Sequence, residues 1–265
     1  VMRAAADLGI RTVAVYSDDD ANSLHTRKAD AARPLGGSGA RAYLDTERIV
    51  AVAREAGCDA VHPGYGFLSE NAGFARRCEA AGVVFVGPRP ETLDLFGDKA
   101  AARALAQRSG VPVLPGTARA TSLDEAHDFL RSLGAGGAIM VKAIAGGGGR
   151  GMRPVERAED LAEAYERCRS EAEQAFGNGA LYVERLFPRA RHIEVQIVGD
   201  GSGAVSHLFE RECSIQRQRQ KLVEIAPAPG LPPRLRDRLL QAALKLAATA
   251  RFGNIGTFEF LIDVG

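Results

Sequence analysis

Short apolar runs alternate with amphipathic stretches through the first third of the chain. Residues 12–16 (TVAVY) predict a strand, and residues 46–56 carry helical spacing, with Thr46 as the N-cap and Gly57 as the stop. Residues 60–62 predict a short strand running into Pro63-Gly64. Residues 68–81 predict a helix, and residues 83–86 a buried strand that ends at Gly87-Pro88. Strands separated by helices imply a parallel sheet with covering helices. The expectation is an α/β domain over residues 1–96.

The pattern then changes. A helix is expected over 99–108, and Ser122 with Glu125 spells a capping box for the next one. A strand over 138–144 leads into four consecutive glycines, Gly146 to Gly149, and a long helix over 161–176 is followed by a strand over 181–187. Residues 114–186 are read as a small α+β lid. Residues 191–198 alternate strictly, with Ile193, Val195 and Ile197 on one face and His192, Glu194 and Gln196 on the other. Asp200-Gly201 signals a hairpin with a return strand over 204–209. A helix over 234–251 and a strand over 257–263 complete the reading. The chain opens inside a helical pattern and stops inside a strand pattern, so it is expected to be a segment cut at both ends.

Composition narrows the class. The 265 residues are 46% hydrophobic and 25% charged, ordinary for a globular protein, and the net charge of +1 provides no global field toward nucleic acid or a membrane. Anion binding must therefore come from local clusters. The four cysteines form no CxxC pair and the five histidines no HxxxH pair, which argues against a disulfide frame and a transition-metal site. No apolar run reaches the roughly 20 residues that span a bilayer, and no targeting pattern is visible. A cytoplasmic location is expected, with the mitochondrial matrix left open because a leader could precede Val1.

Four features carry candidate chemistry. Consecutive glycines let backbone N–H groups close over phosphate oxygens without Cβ interference. Lys142 lies just upstream, on the strand face opposite Ile139, Val141 and Ala143, where it can reach the same phosphates; Lys99 sits at a helix start. Arg217, Arg219 and Lys221, if residues 216–221 form one extended ribbon, share a side and call for an anion. Glu259, between two phenylalanines expected in the core, points the other way and suits Mg²⁺. Taken singly, each of these residues also reads as an ordinary solvated side chain.

Together the stretches resemble the biotin carboxylase family of ATP-grasp enzymes. The resemblance rests on His62 to Asn71 (HPGYGFLSEN), Gly97-Asp98-Lys99, Gly146 to Met152 (GGGGRGM) and Arg191 to Gln196 (RHIEVQ). It continues through Glu210 to Ser214 (ERECS), Gln220-Lys221, Ala226 to Gly230 (APAPG) and Gly256 to Phe260 (GTFEF), in the family's order and along essentially the whole chain. It implies an N-terminal, Rossmann-like parallel-sheet (pre-ATP-grasp) domain at 1–96 and an incomplete ATP-grasp α+β domain at 97–265 with a mobile lid.

The resemblance also implies roles. Lys99, Lys142 and the loop Gly146, Gly147, Gly148 and Gly149 would bind ATP phosphates. Glu184 would take the adenine amine, with Arg185, Leu186 and Phe187 lining that pocket. His192 and Gln216, with Arg219 beside them, would contact the nucleotide. Lys221 would hold bicarbonate, and Glu259 would bind Mg²⁺ or Mn²⁺ together with ATP. Arg185 stands where the family commonly has lysine, Arg219 where it commonly has histidine, and Ile144-Ala145 where a Ser-Gly pair is common. Family members continue with a Glu-x-Asn-x-Arg segment that this chain lacks, so the segment alone is not expected to catalyse carboxylation.

The implied activity is ATP-dependent carboxylation of biotin with bicarbonate through carboxyphosphate, as part of a biotin-dependent carboxylase, with an acyl-CoA carboxylase the first expectation. Implied partners are a biotinylated carrier domain, a carboxyltransferase component and a second copy of the intact domain. The rival readings are another ATP-grasp ligase, such as half of a carbamoyl-phosphate synthetase, and a non-catalytic ATP-binding module.

Overall fold

The computed structural model describes residues 1–117, 119–144, 151–217 and 220–264. The chain divides into two compact units, Val1–Gly97 and Asp98–Gly265.

The first unit contains α1 (Met2–Asp7), β1 (Val13–Tyr16), α2 (Leu24–Lys28), β2 (Ala31–Pro34), α3 (Thr46–Glu55), β3 (Ala60–Val61), α4 (Ala72–Ala80), β4 (Val84–Phe85) and α5 (Pro90–Gly97). Its ladders are parallel, β1 with β2 and β3 with β4, but they form two separate two-stranded sheets rather than one. Ile49, Val52, Phe74, Cys78 and Phe85 belong to its core, where the Phe74 and Phe85 rings meet edge to face at 5.8 Å.

Three local expectations change. Asp45, not Thr46, caps α3 by accepting from the Arg48 N–H; its carboxylate is an acceptor one position earlier. Residues 68–71 are a turn, because positive φ at Gly64, Gly66 and Phe67 bends the backbone, and α4 starts only after Asn71, whose side chain accepts from the Phe74 N–H. Val84 is 63% exposed between buried Val83 and Phe85, since a strand sends alternate side chains to opposite faces.

The second unit opens with α6 (Lys99–Arg108) and α7 (Leu123–Ser132). The Ser122–Glu125 capping box forms in both directions. An antiparallel sheet of order β6-β5-β7 follows, from β5 (Ile139–Ala143), β6 (Met152–Val155) and β7 (Leu181–Arg185), with α8 (Leu161–Phe176) packed on it. Ile139, Val141 and Ala143 point into the core it shares with Leu161, Cys168 and Ala172, which leaves Lys142 on the opposite face.

A second antiparallel sheet has the order β10-β9-β8-β11, from β8 (Ala190–Asp200), β9 (Val205–Arg217), β10 (Gln220–Ile225) and β11 (Gly253–Asp263). Helix α9 (Pro233–Thr249) packs on β8 and β9, and Ile193, Val195 and Ile197 are fully buried, as their alternation predicts. Phe258 and Phe260, expected in the core, are only partly covered and line a cavity instead. The four cysteines are free, and among the described residues no helix is long and apolar enough to cross a membrane.

Candidate functional site

Two groups of polar side chains collect on the second unit, one on the β6-β5-β7 sheet and one on the β10-β9-β8-β11 sheet. In the first, Asp98 caps α6 by accepting from the Ala100 and Ala101 N–H groups at 2.9 and 3.1 Å, which sets Lys99 at the first helical position. Its Nζ donates to the Ala143 carbonyl at 2.8 Å and lies 5.3 Å from the centre of the Tyr182 ring. Lys99 is thereby brought to the end of β5, beside Lys142. Burial pushes the Lys99 pKa down, and the Lys142 charge adds to the effect.

Lys142 is ion-paired with Glu184, which is buried on β7. Gly116 forms a bridge with Glu184, and a Cβ there would meet the Val183 carbonyl oxygen at 2.7 Å. The Arg185 N–H donates to the Pro115 carbonyl and the Leu186 N–H to the Ala138 carbonyl, both at 2.8 Å. These two donors of the expected adenine hinge are therefore engaged by the protein's own backbone. The Arg185 guanidinium stacks 4.9 Å from the Phe187 ring centre.

A cavity of about 530 Å³ connects this group to the second sheet. Glu184, Phe187, Glu259 and Leu261 line it together. Leu261 was not singled out in the sequence; its only signal was its place two residues after Glu259, on the same strand face.

In the second group, His192 Nδ1 lies 2.8 Å from Oε1 of Glu259, while Lys221 Nζ lies 4.0 Å from Oε2. Lys221 also pairs with Oε2 of Glu194, and Arg211 holds Oε1. Glu194, on the polar face of its strand, is buried, with Arg211 of β9 and Lys221 of β10 on its carboxylate. The His192 hydrogen bond depresses the Glu259 pKa; burial opposes this, and the Lys221 charge adds to the depression. For Lys221, burial acts downward, but the Glu194 hydrogen bond and the Glu259 charge outweigh it and hold the ammonium above its usual range.

The basic ribbon is corrected. Residues 216–221 are not one strand: β9 ends at Arg217 and β10 starts at Gln220, paired antiparallel, so Lys221 lies opposite Gln216 rather than in line with Arg217. The Gln216 amide donates to the Cys213 carbonyl at 2.8 Å. Gly146, Gly147, Gly148, Gly149 and Arg219 lie outside the described residues.

Glu259 fits a hard divalent cation: it is a partly exposed carboxylate on the cavity wall, and such ions take the rest of their shell from phosphate and water. Glu194, Cys213 and Glu224 also cluster but do not fit a metal. Arg211 contacts both carboxylates, and burial pushes the Cys213 thiol up to about 12, which keeps it protonated.

Paired lysines beside a cavity, and a carboxylate set among cations on an antiparallel sheet, are features of an ATP-grasp nucleotide site. Residues 98–265 match the family described as carbamoyl-phosphate synthase L chain, ATP binding domain, and residues 1–93 match the biotin carboxylase N-terminal domain. The chain belongs to the biotin carboxylase family of ATP-grasp proteins.

It is 55% identical over 266 residues to mitochondrial pyruvate carboxylase of Mus musculus and 51% identical to pyruvate carboxylase of Bacillus subtilis, covering 99% of this chain and 22% and 23% of those proteins. A Campylobacter jejuni biotin carboxylase complex superposes with a TM-score of 0.95 at 42% identity, over 99% of this chain and 59% of that one. The biotin carboxylase domain dimer of Hydrogenobacter thermophilus 2-oxoglutarate carboxylase, bound to MgADP, ADP and bicarbonate, superposes with a TM-score of 0.92 at 42% identity, over 99% and 58%. The chain thus spans under a quarter of these curated relatives and under two thirds of these solved chains.

Proposed function

We propose that the intact protein transfers bicarbonate to biotin at the expense of ATP, as the biotin carboxylase part of a biotin-dependent carboxylase. The observation that carries this reading is the Lys221 ammonium, held charged between Glu194 and Glu259 on a sheet edge of the nucleotide-binding unit. A phosphate site alone does not call for this second cation.

On this reading Lys99 and Lys142 bind ATP phosphates, and Lys142 exchanges part of its contact with Glu184 for them. The apolar cavity wall at Phe187 and Leu261 takes the adenine, with Glu184 near its exocyclic amine. Because the Arg185 and Leu186 N–H groups are engaged, the hinge donor falls at Phe187 or beyond. Glu259 would hold Mg²⁺ or Mn²⁺, which would neutralise phosphate charge, and His192 orients that carboxylate. Lys221 places bicarbonate. A bicarbonate oxygen forms a bond to the γ-phosphorus as the bond to the ADP oxygen breaks, giving carboxyphosphate and ADP. Carboxyphosphate then breaks its bridging C–O bond to give CO₂ and phosphate, the phosphate takes the proton from the biotin ureido nitrogen, and that nitrogen forms its bond to CO₂. The side chains contribute position and charge neutralisation.

The domain boundaries proposed are 1–96 and 97–265, with a lid at about 114–186. The proposed partners are a biotinylated carrier domain, a carboxyltransferase component and a second copy of the intact domain. The curated relatives named above are pyruvate carboxylases, and a long-chain acyl-CoA carboxylase is among the similar structures, so an acyl-CoA acceptor is neither favoured nor opposed by them. On this reading the choice of acceptor belongs to the carboxyltransferase component. The same relatives, mitochondrial and bacterial, are compatible with either a mitochondrial matrix or a bacterial cytoplasm. Against a carbamoyl-phosphate synthetase stands the biotin carboxylase match over residues 1–93. The test is transfer of labelled carbon from bicarbonate to free biotin by the intact protein with Mg-ATP. Label on biotin supports the reading, and bicarbonate-dependent ATP cleavage with none on biotin defeats it.

A further inference from the structure

The cation that serves the anion site is itself held by a chain of contacts crossing all four strands of the larger sheet. The Gly256 carbonyl of β11 accepts from the Gln196 amide of β8 at 2.7 Å. The Gln196 carbonyl oxygen accepts from Arg211 Nη1 at 2.9 Å, and Arg211 Nε donates to Glu194 Oε1 at 2.8 Å. Glu194 Oε2 takes Lys221 of β10, and Arg211 also lies 3.3 Å from Glu224. Arg211 and Glu194 are Cα partners in the β8–β9 register, so the fork meets the carboxylate across the ladder.

We propose that Arg211 is a positioning residue for the anion site, keeping Lys221 aimed at an incoming oxyanion. Two effects, both resting on the functional reading above, give Arg211 this role. The first is geometric. Glu194 is 4% exposed and has two oxygens. While Arg211 holds Oε1, only Oε2 is open to Lys221, which fixes where the ammonium stands relative to Glu259. Without Arg211, both oxygens would be free to draw Lys221 inward. The second is electrostatic. Arg211 and Lys221 stand among Glu194, Glu224 and Glu259, two cations to three carboxylates. Removing Arg211 leaves one cation to three carboxylates, and the incoming anion meets a more repulsive surrounding. A lysine at 211 keeps the charge but lacks the planar fork that reaches Glu194, Gln196 and Glu224 at once.

The test uses Arg211→Met and Arg211→Lys in the intact protein. Arg211→Met is expected to raise the bicarbonate KM about 10-fold or more while the Kd for a fluorescent ATP analogue stays within about twofold. Arg211→Lys, the variant that keeps the buried carboxylate compensated if Arg211→Met does not fold, is expected to fall between Arg211→Met and the parent. A purely structural role would instead lower Tm and move both constants together, which overturns the proposal, as does an unchanged bicarbonate KM. Crystal structures of the intact protein and Arg211→Lys give a readout that does not depend on turnover. A Lys221 ammonium drawn from its position near Glu259 supports the positioning role even if the parent shows no bicarbonate-dependent turnover, in which case only the functional reading falls. An ammonium that stays in place overturns the positioning role.

Discussion

Lys142 and Glu184, 42 positions apart, form an ion pair between neighbouring strands with side-chain exposures of only 19% and 10%. Replacing Lys142 by Met would leave the Glu184 carboxylate buried without its cation. Removing one partner of a fully buried pair costs about 3–5 kcal/mol, and some remaining exposure brings the expectation here to about 2–3 kcal/mol. Lys142→Met should therefore lower the unfolding midpoint and also weaken nucleotide binding about 10-fold or more. Denaturant unfolding and titration with a fluorescent ATP analogue measure the two effects; an unchanged nucleotide affinity would separate Lys142 from the phosphates.

Gly116 lies against the backbone and Cβ of the same glutamate. A Cβ at this position would stand 2.7 Å from the Val183 carbonyl oxygen and 2.9 Å from the Glu184 Cβ. Gly116→Ala should force the segment off β7, at a cost of about 1–3 kcal/mol, and displace Glu184. Thermal unfolding should show the loss. A variant as stable as the parent would mean that residues 115–117 shift without strain.

The acid side of the stability curve follows from carboxyls held below their usual range. Glu259 is lowered chiefly by the His192 hydrogen bond. In Glu194 burial acts upward, but the hydrogen bonds from Lys221 and Arg211 outweigh it. Groups with depressed folded pKa values add stability that is full above the unfolded value and lost as pH falls through the folded one. Glu125 sets a visible window, since its Arg119 hydrogen bond lowers it from 4.5 to about 2. Unfolding midpoints should drop progressively from pH 4.5 toward 2, and Glu125→Gln should flatten part of that slope. An unaltered slope in the variant would contradict the Glu125 assignment.

Much of the fold was legible because its signals are local. The Ser122–Glu125 box spans three residues, and the period of two in 191–198 sorts apolar from polar side chains without knowledge of the neighbouring strands. Lys142 could be placed on the polar face of its strand for the same reason. Its pairing with Glu184 could not, because it depends on β7 lying beside β5 after β6 and α8 intervene. Glu194 could be placed on the polar face of its strand in the same way, but its pairing with Arg211 and Lys221 depends on strands 17 and 27 positions further on. The period-two pattern at 216–221 carries no mark of where β9 ends and β10 begins, so it reads as one strand.

With Glu259 as the proposed metal carboxylate, Glu259→Gln should raise the free Mg²⁺ needed for half-maximal turnover about 10-fold, and, by removing the charge beside His192 and Lys221, lower the unfolding midpoint slightly. Turnover against Mg²⁺ concentration measures this directly. An identical curve would remove Glu259 from the metal.

Lys221 is proposed as the bicarbonate cation of a biotin carboxylase, and the sharpest test is ADP release by the intact protein, measured with and without bicarbonate and biotin and beside Lys221→Met. The expected result is release that requires bicarbonate, rises with biotin and is lost in the variant while nucleotide binding remains. Release indifferent to bicarbonate, or unchanged in Lys221→Met, would contradict it.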